Sequence, residues 1–211
     1  MISISKTFNK YRKRIQINLK NHVFVFYYGN KPNLVTFGMT NETEDNYFVP
    51  FIDYDNIYYD KIVKDIKHLF EVFKLSALVL IKSSEEKDVN GQIFGNYMVL
   101  GFDKLTYQMH GDMLKHTRCD RNYIGNPKFY KYKNWVIRCK AKIRVTDNKV
   151  IKNAPVFKEL FINKNTNEYE CSLAHKLMYE KVFNHKITLP KTIKFDSFKT
   201  SDLVSYYTGE K

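Results

Sequence analysis

The sequence predicts an α/β fold of the mixed α+β kind, in which mixed sheets pack against helices. Short apolar runs rich in β-branched and aromatic residues recur along the chain and predict strands. Stretches with apolar residues at helical spacing lie between some of these runs and predict helices. The 211 residues are 44% hydrophobic, which is enough to bury a sizeable core, and we expect a single domain.

The first half of the chain predicts an antiparallel sheet followed by a β-α-β crossover. Three strand candidates are separated by turn-rich segments: residues 22–28, 34–39 and 47–52. An amphipathic helix is then predicted over residues 57–74, from the spacing of Ile62, Ile66, Leu69, Phe70 and Phe73. A strand over residues 75–81 follows. Asp53 and Asp55 are therefore expected at the carboxyl end of the first crossover strand, where open α/β sheets bind ligands.

The second half continues with elements of both kinds. They are a polar loop, a strand, a short helix, an irregular stretch, a second helix and a last strand, over residues 83–95, 97–102, 105–116, 123–134, 173–183 and 192–198. Within the single domain we distinguish a basic N-terminal segment, a catalytic-like core and a C-terminal helical and strand extension, over residues 1–20, 47–145 and 155–211.

The clearest predicted strand covers residues 135–145, where apolar and basic side chains alternate strictly. Its basic face carries Arg138, Lys140, Lys142 and Arg144. Since neighbouring like charges repel one another, such a face indicates that anions or carboxylates lie against it. The alternative is a solvated strand face paired with acids of a neighbouring strand. Further cations and stacking surfaces for nucleic acid lie close by in the sequence: Arg121, Lys131, Lys133 and Trp135.

The whole chain is strongly basic. Its 35 Lys and Arg residues against 22 Asp and Glu residues give a net charge of +13, which attracts polyanions such as nucleic acid. A mean hydropathy of -0.47 and the lack of a long apolar run argue against a membrane partner. Cys119, Cys139 and Cys171 are too few for a disulfide framework, so we expect free thiols and an intracellular, cytoplasmic location.

Asp53 and Asp55 are the first candidates for a catalytic site. They lie two residues apart on a predicted strand, so their carboxylates project from the same face. With a third acid they would form a site for Mg²⁺ or Mn²⁺, hard cations that bridge to substrate phosphates. The alternative is that Asp55 or Asn56 caps the following helix and that Asp53 is an ordinary surface acid.

Histidines and cysteines suggest two further hypotheses. A two-Cys, two-His zinc site would use His116, Cys119, Cys171 and His175, although the two pairs are far apart in the sequence. His110, on the short helix predicted over residues 105–116, is a candidate acid-base or phosphate-binding group, although a lone exposed histidine often has no such role. No Walker-type phosphate loop, nucleophile elbow or zinc-finger pattern occurs in the sequence.

The order of these parts resembles the catalytic core of the archaeo-eukaryotic primase superfamily, the primase-polymerases of archaea, eukaryotes, plasmids and viruses. That family has an apolar strand ending in Asp-x-Asp, a later strand with a Ser-x-His or Gly-Tyr-His element, a third Asp, and a basic residue on a following strand. Asp53 and Asp55 match the first motif. The second falls on residues 95–100, where Met98 takes the place of the histidine, and Asp120 is the best match to the third acid.

The resemblance implies a nucleotidyltransferase of a plasmid or viral replication system, which makes or extends a primer on single-stranded DNA or RNA and has a helicase or other replication subunit as candidate partner. Asp53, Asp55 and Asp120 would hold two divalent metal ions, with Asp103 as the second choice for the third acid. The nucleotide would contact Arg138, Lys140 and His110. The template would contact Lys142, Arg144, Arg121, Lys131, Lys133 and Trp135.

Met98 departs from the family pattern, in which the histidine helps to hold the phosphates of the incoming nucleotide. One alternative is therefore a non-catalytic nucleic-acid-binding accessory protein on the same fold. Another is a metal-dependent nuclease, which would use the same acids to degrade a strand.

Overall fold

The computed structural model describes residues 3–9, 12–19, 22–28, 34–43, 47–124, 135–144, 147–167, 169–190, 192–194 and 204–207. Side chains are described from residue 38 onward within these ranges, apart from residues 122, 136, 192–194 and 204–207. The fold is mixed α+β, as predicted. The strands are β1 (Ser3–Asn9), β2 (Arg12–Leu19), β3 (His22–Tyr28), β4 (Leu34–Thr40), β5 (Phe51–Tyr58), β6 (Ala77–Lys87), β7 (Ile93–Gly101), β8 (Val136–Arg138), β9 (Lys142–Arg144), β10 (Lys149–Lys152), β11 (Val156–Ile162), β12 (Tyr169–Cys171), β13 (Thr192–Lys194) and β14 (Val204–Tyr207). The helices are α1 (Tyr59–Val72), α2 (Tyr107–Lys115), α3 (Arg121–Ile124) and α4 (Leu173–Phe183).

A four-stranded sheet in the order β11-β6-β7-β5 forms the centre of the fold. Strands β5 and β6 both pair antiparallel with β7, so they run parallel to each other with β7 between them. Helix α1 connects β5 to β6. The predicted β-α-β crossover is therefore present in a split form, with an antiparallel strand inserted between its two parallel strands.

Both faces of the central sheet are buried, which explains the nearly continuous apolar runs of β6 and β7. One face, here called the α1 face, packs on α1 and α2 through residues such as Ile66 and Met113. The opposite face, the α4 face, packs on α4 and on strands β4 and β8 through Met178, Met39 and Ile137. The two candidate surfaces described below lie on either side of this sheet.

The predicted polar loop over residues 83–95 is wrong. Strands β6 and β7 continue into it as a hairpin that turns at Asp88, whose carboxylate accepts the backbone N–H groups of Asn90 and Gln92 at 2.8 Å each. This end of the hairpin extends beyond the apolar core and carries mostly half-buried and exposed polar side chains. Because the apolar signal of a strand comes from burial, the periodicity of the sequence could not reveal these residues as strand.

The predicted first sheet and the long basic strand are also rearranged. Strands β3 and β4 pair with different partners, β3 with β2 and β4 with β8, β9 and β14, so they do not form one sheet. The basic strand predicted over residues 135–145 is interrupted after Arg138 and resumes at Lys142, because β8 and β9 pair with separate parts of β4. Val145 lies outside the described residues, and so do residues 195–198 of the last predicted strand.

The segment predicted as a C-terminal extension belongs to the same core. Strand β11 is an outer strand of the central sheet, and α4 covers the α4 face. Helix α4 has the predicted bounds, since Ser172 caps its first turn through the N–H of His175 and Asn184 ends it in the left-handed conformation. In the described part of the chain, no helix has the length and apolar character needed to cross a bilayer.

Candidate functional site

Strand β5 places Asp53 and Asp55 inside the strand, whereas we predicted them at its carboxyl end. The strand extends past them because a bulge follows Tyr54, with Asn56 in the left-handed conformation at φ 50°. The N–H of Asn56 donates to the side-chain oxygen of Asn96 on β7 at 2.8 Å. Helix α1 begins after Tyr58, which makes no side-chain cap bond, so the alternative in which Asp55 or Asn56 caps this helix is wrong.

Asp120, the predicted third acid, lies directly beside Asp53. Its backbone N–H donates to the carbonyl oxygen of Asp53 at 2.8 Å. Asp65 of α1 fixes the segment that leads there, because its buried carboxylate accepts the backbone N–H of Arg118 at 2.8 Å and pairs with the Arg118 guanidinium. The fold therefore brings two acids that are far apart in the sequence to the same position on the edge of the central sheet.

Arg138 on β8 is a cation that interacts electrostatically with Asp53 and Asp55. Strand β8 lies against β5, and the charges of Asp53 and Asp55 act on the half-buried guanidinium of Arg138. Burial lowers the pKa of Arg138, and the two carboxylates oppose that change. The Nη1 group of Arg138 donates to the carbonyl oxygen of Lys140 at 2.9 Å and to that of Asn153. Such anchoring holds the guanidinium in place, with Nη2 and Nε as its further donors.

Tyr123 also belongs to this site, where its ring is packed against the core instead of offering the stacking surface that its place among the basic residues suggested. Its backbone N–H donates to the carbonyl oxygen of Asp120 at 2.9 Å. Burial raises the pKa of Tyr123 well above its ordinary value, and the negative charge of Asp53 raises it further. The hydroxyl oxygen is buried without a hydrogen-bond partner among the described residues, so a bound group or water would be needed to satisfy it.

Met98 lies directly opposite Asp53 in the register between β5 and β7. It is 4% exposed and belongs to the apolar cluster of the α4 face. The residue that takes the place of the family's histidine is therefore next to the first acid, but it offers an apolar contact in place of a hydrogen bond.

The three predicted metal ligands have suitable donor chemistry, since carboxylate oxygens are the ligands that Mg²⁺ and Mn²⁺ prefer. Within the described ranges, however, no three His, Cys, Asp or Glu side chains are arranged as a metal-binding group. Asp53 and Asp120 are neighbours through their backbones, while Asp55 is exposed beyond them. Binding of a metal by all three would therefore require their side chains to turn toward one another.

The predicted nucleic-acid contacts are only partly on the surface. Lys140 and Arg121 are exposed, and Lys142 is half-buried. Arg144 is half-buried and forms an ion pair at 3.1 Å with Asp147, an acid of the turn between β9 and β10 and not of a neighbouring strand. Lys131 and Lys133 lie outside the described residues.

Trp135 does not offer the predicted stacking surface. It is 7% exposed and packs in the core of the α1 face, with its ring against those of Tyr107 and His110. The prediction that Trp135 points to an apolar face is correct. Because α2 covers that face, a base cannot stack on the ring.

His110 is also wrong as a nucleotide-binding residue, because its side chain is completely buried. Its Nε2 accepts the backbone N–H of Phe51 on β5 at 3.1 Å, and burial lowers its pKa to about 3. The ring is therefore neutral and holds α2 against the outer edge of β5. A phosphate has no access to it.

The proposed zinc site does not form either. Cys119 is buried on the α1 face, whereas Cys171 is buried on the α4 face, so the central sheet separates the two pairs. His175 instead bonds the Ser172 hydroxyl at 2.6 Å and the Thr40 carbonyl at 3.2 Å. Asp103, the second choice for the third acid, is buried and accepts the backbone N–H of Ser76 at 2.7 Å.

No family model, no curated protein and no solved structure matches this chain.

Proposed function

We propose that the protein is a nucleotidyltransferase of the primase-polymerase kind, which adds nucleotides on a single-stranded template. The observation that supports this most strongly is the meeting of Asp53, Asp120 and Arg138. Three residues from separate segments, chosen for the order of their motifs, lie together at one edge of the central sheet. The proposal extends to the divalent metal and to the replication setting that the family resemblance implies.

In this proposal the acidic side chains bind metal and the basic side chains bind phosphate groups. A divalent metal bound by Asp53, Asp55 and Asp120 would activate the primer hydroxyl and neutralise the leaving pyrophosphate. Arg138, held by two carbonyl oxygens, would bind the triphosphate. Exposed Lys140 and half-buried Lys142 would contact the template backbone.

A non-catalytic nucleic-acid-binding protein is the second candidate, and Met98 favours it. The side chain opposite Asp53 can neither hold a phosphate nor exchange a proton. Such a protein would bind single strands through the same cations and would need no metal.

The test is primer synthesis and extension on a single-stranded template with labelled nucleotides and either Mg²⁺ or Mn²⁺. We expect product from the wild-type protein and none from Asp53→Asn or Asp120→Asn, since each removes one negative charge without changing side-chain size. Template binding by the two variants should be retained. Glu86→Gln, at an exposed acid on the β6–β7 hairpin, is the matched control and should extend primers normally.

Each of the other results identifies a different class of protein. A wild-type protein that binds the template equally well with and without chelator and incorporates nothing would be the accessory protein. Shortening of the labelled strand in the presence of metal, abolished by Asp53→Asn, would indicate the nuclease. Incorporation that survives Asp53→Asn would contradict the placement of the catalytic acids on β5.

A further inference from the structure

A cleft of about 380 Å³ opens on the α1 face, away from Arg138 and the α4 face. Side chains from two parts of the chain line it, the outer side of α1 and the end of α2 with the segment that follows it. Its polar and basic lining residues are Lys64, His68, Lys115, His116, Thr117 and Arg118. The proposed function uses none of them.

Two histidines form the centre of this cleft. The Nε2 atom of His68 and the Nδ1 atom of His116 lie 3.3 Å apart, and the two rings stack with their centroids 5.6 Å apart. Phe73 packs edge-on against His116 at 5.3 Å between centroids, which fixes the orientation of that ring. Both imidazoles are exposed, so a ligand can reach their nitrogen atoms.

The fixed charges around the pair include three cations and one lining carboxylate. That carboxylate, Asp65, is already bonded to the Arg118 guanidinium, the Arg118 N–H and the Tyr54 hydroxyl. Lys64 and Lys115 form ion pairs with Asp60 at 3.7 Å and Asp112 at 2.8 Å, all four with largely exposed side chains. Exposed pairs of this kind contribute little free energy and exchange partners easily.

The two imidazoles share a hydrogen bond at the centre of the cleft, in which one ring donates and the other accepts. Each ring keeps a second nitrogen that can contact a ligand. Glu71, three residues after His68 on α1, is the other acid near enough in the helix to interact with His68.

We propose that this cleft binds a phosphate monoester. A dianion with three terminal oxygens can accept from both imidazoles and from the ammonium groups of Lys64 and Lys115 at once, and its double charge matches the two lysines better than the single charge of a carboxylate. The volume leaves room for a small group attached to the phosphate, such as a nucleoside.

The test is a titration of the full chain with inorganic phosphate, followed by calorimetry and by the histidine ring signals in NMR, at constant chloride concentration. We expect saturable binding of phosphate by the wild type. His68→Gln and His116→Gln should each weaken it by roughly fivefold or more, because each removes an imidazole that contacts the phosphate. His185→Gln is the matched control, because His185 is exposed and stacks on Phe157 away from the cleft.

Competition identifies what carries the phosphate. Adenosine 5′-monophosphate should displace inorganic phosphate, and adenosine should not. An oligonucleotide with a 5′-terminal phosphate that competes better than the same strand without it would show that a strand end is recognised, whereas equal competition by inorganic phosphate alone would indicate the free anion. Both results support a phosphate site.

Three results would overturn the proposal: no phosphate binding by the wild type, equal binding by the wild type and both glutamine variants, or displacement of the phosphate by adenosine. The thermal unfolding of each variant checks that it is folded. None of these measurements depends on nucleotide incorporation, so failure of the proposed enzyme activity would leave the cleft proposal to be decided by its own result.

Discussion

Buried polar side chains support the candidate site by bonding to the backbone. His110 accepts the N–H of Phe51, Asp65 accepts the N–H of Arg118, and Asp103 accepts the N–H of Ser76. Each joins two segments that are distant in the sequence, so each limits how far the site can move. A sequence presents such residues as candidate acids, bases or ligands, because the residue type is the same for either role. Only their burial distinguishes the two.

Asp103 gives a prediction about stability and pH. Burial, with a smaller contribution from Glu170, raises its pKa to about 7, so the folded protein keeps a proton that the unfolded chain loses near its ordinary pKa of 3.8. Stability should therefore fall as the pH rises through this window, by up to about 1.4 kcal/mol per pH unit. Asp103→Asn, which stays neutral, should remove this decrease.

The measurement is urea unfolding of both proteins at several pH values between the two pKa values. Asp112→Asn, at a half-buried acid on α2, is the control and should keep the wild-type slope. An identical pH dependence in Asp103→Asn and the wild type would mean that Asp103 is ionised in the folded protein.

At the scale of elements, helices were easier to predict than strands. Helix α4 has the predicted bounds and α1 is only slightly shorter than predicted, because an amphipathic helix shows its period over many residues. Strand bounds depended on features that leave little pattern, namely the bulge at Asn56, the polar hairpin around Asp88 and the break between β8 and β9. These features are set by pairing partners elsewhere in the chain.

A glycine on β7, Gly95, tests how tightly the hairpin between β6 and β7 is held. A Cβ atom on Gly95 would lie 2.2 Å from the carbonyl oxygen of Ser84, a backbone atom that cannot rotate away. We expect Gly95→Ala to destabilise the protein by about 1–3 kcal/mol. Gly111→Ala is the matched control, because nothing lies within 4 Å of its Cβ position on α2 and alanine favours a helix, so stability should rise by about 0.5–1 kcal/mol.

Chemical denaturation of the two variants and the wild type measures both changes. A Gly95→Ala protein as stable as the wild type would show that the strands separate easily at this point. The register that places Asn96 beside Asn56 would then be less firmly held than the hydrogen bond between them indicates.

At the scale of the whole molecule, the sequence predicted the fold class and the meeting of Asp53 with Asp120, but it did not predict which cations are accessible. Asp120 was chosen as the third acid from the family resemblance, and its backbone bond to Asp53 brings the two acids together. The accessibility of a predicted contact residue depends on what covers it or pairs with it. Helix α2 covers Trp135, and Asp147 pairs with Arg144. The His68–His116 pair was missed because its two members come from different elements.

The net charge of +13 predicts salt-dependent binding of a single-stranded oligonucleotide. If Lys140 and Lys142 both contact phosphates, the double variant Lys140→Gln/Lys142→Gln should reduce the slope of log K against log salt by about 1.4, since each contact contributes about 0.7. Lys181→Gln, at an exposed lysine on α4, should leave the slope unchanged. Fluorescence anisotropy between about 50 and about 200 mM salt measures it, and an unchanged slope in the double variant would exclude these contacts.

The outer edge of β5 has a consequence for how the protein behaves at high concentration. Strand β5 ends the central sheet, and its Phe51 N–H and Asp53 carbonyl are taken by His110 and Asp120 rather than by another strand. An uncovered edge of this kind is a template for strand addition between molecules. Helix α2 and the segment that supplies Asp120 therefore also prevent self-association through this edge. Substitutions that loosen α2, such as His110→Ala, should make the protein prone to aggregation during purification.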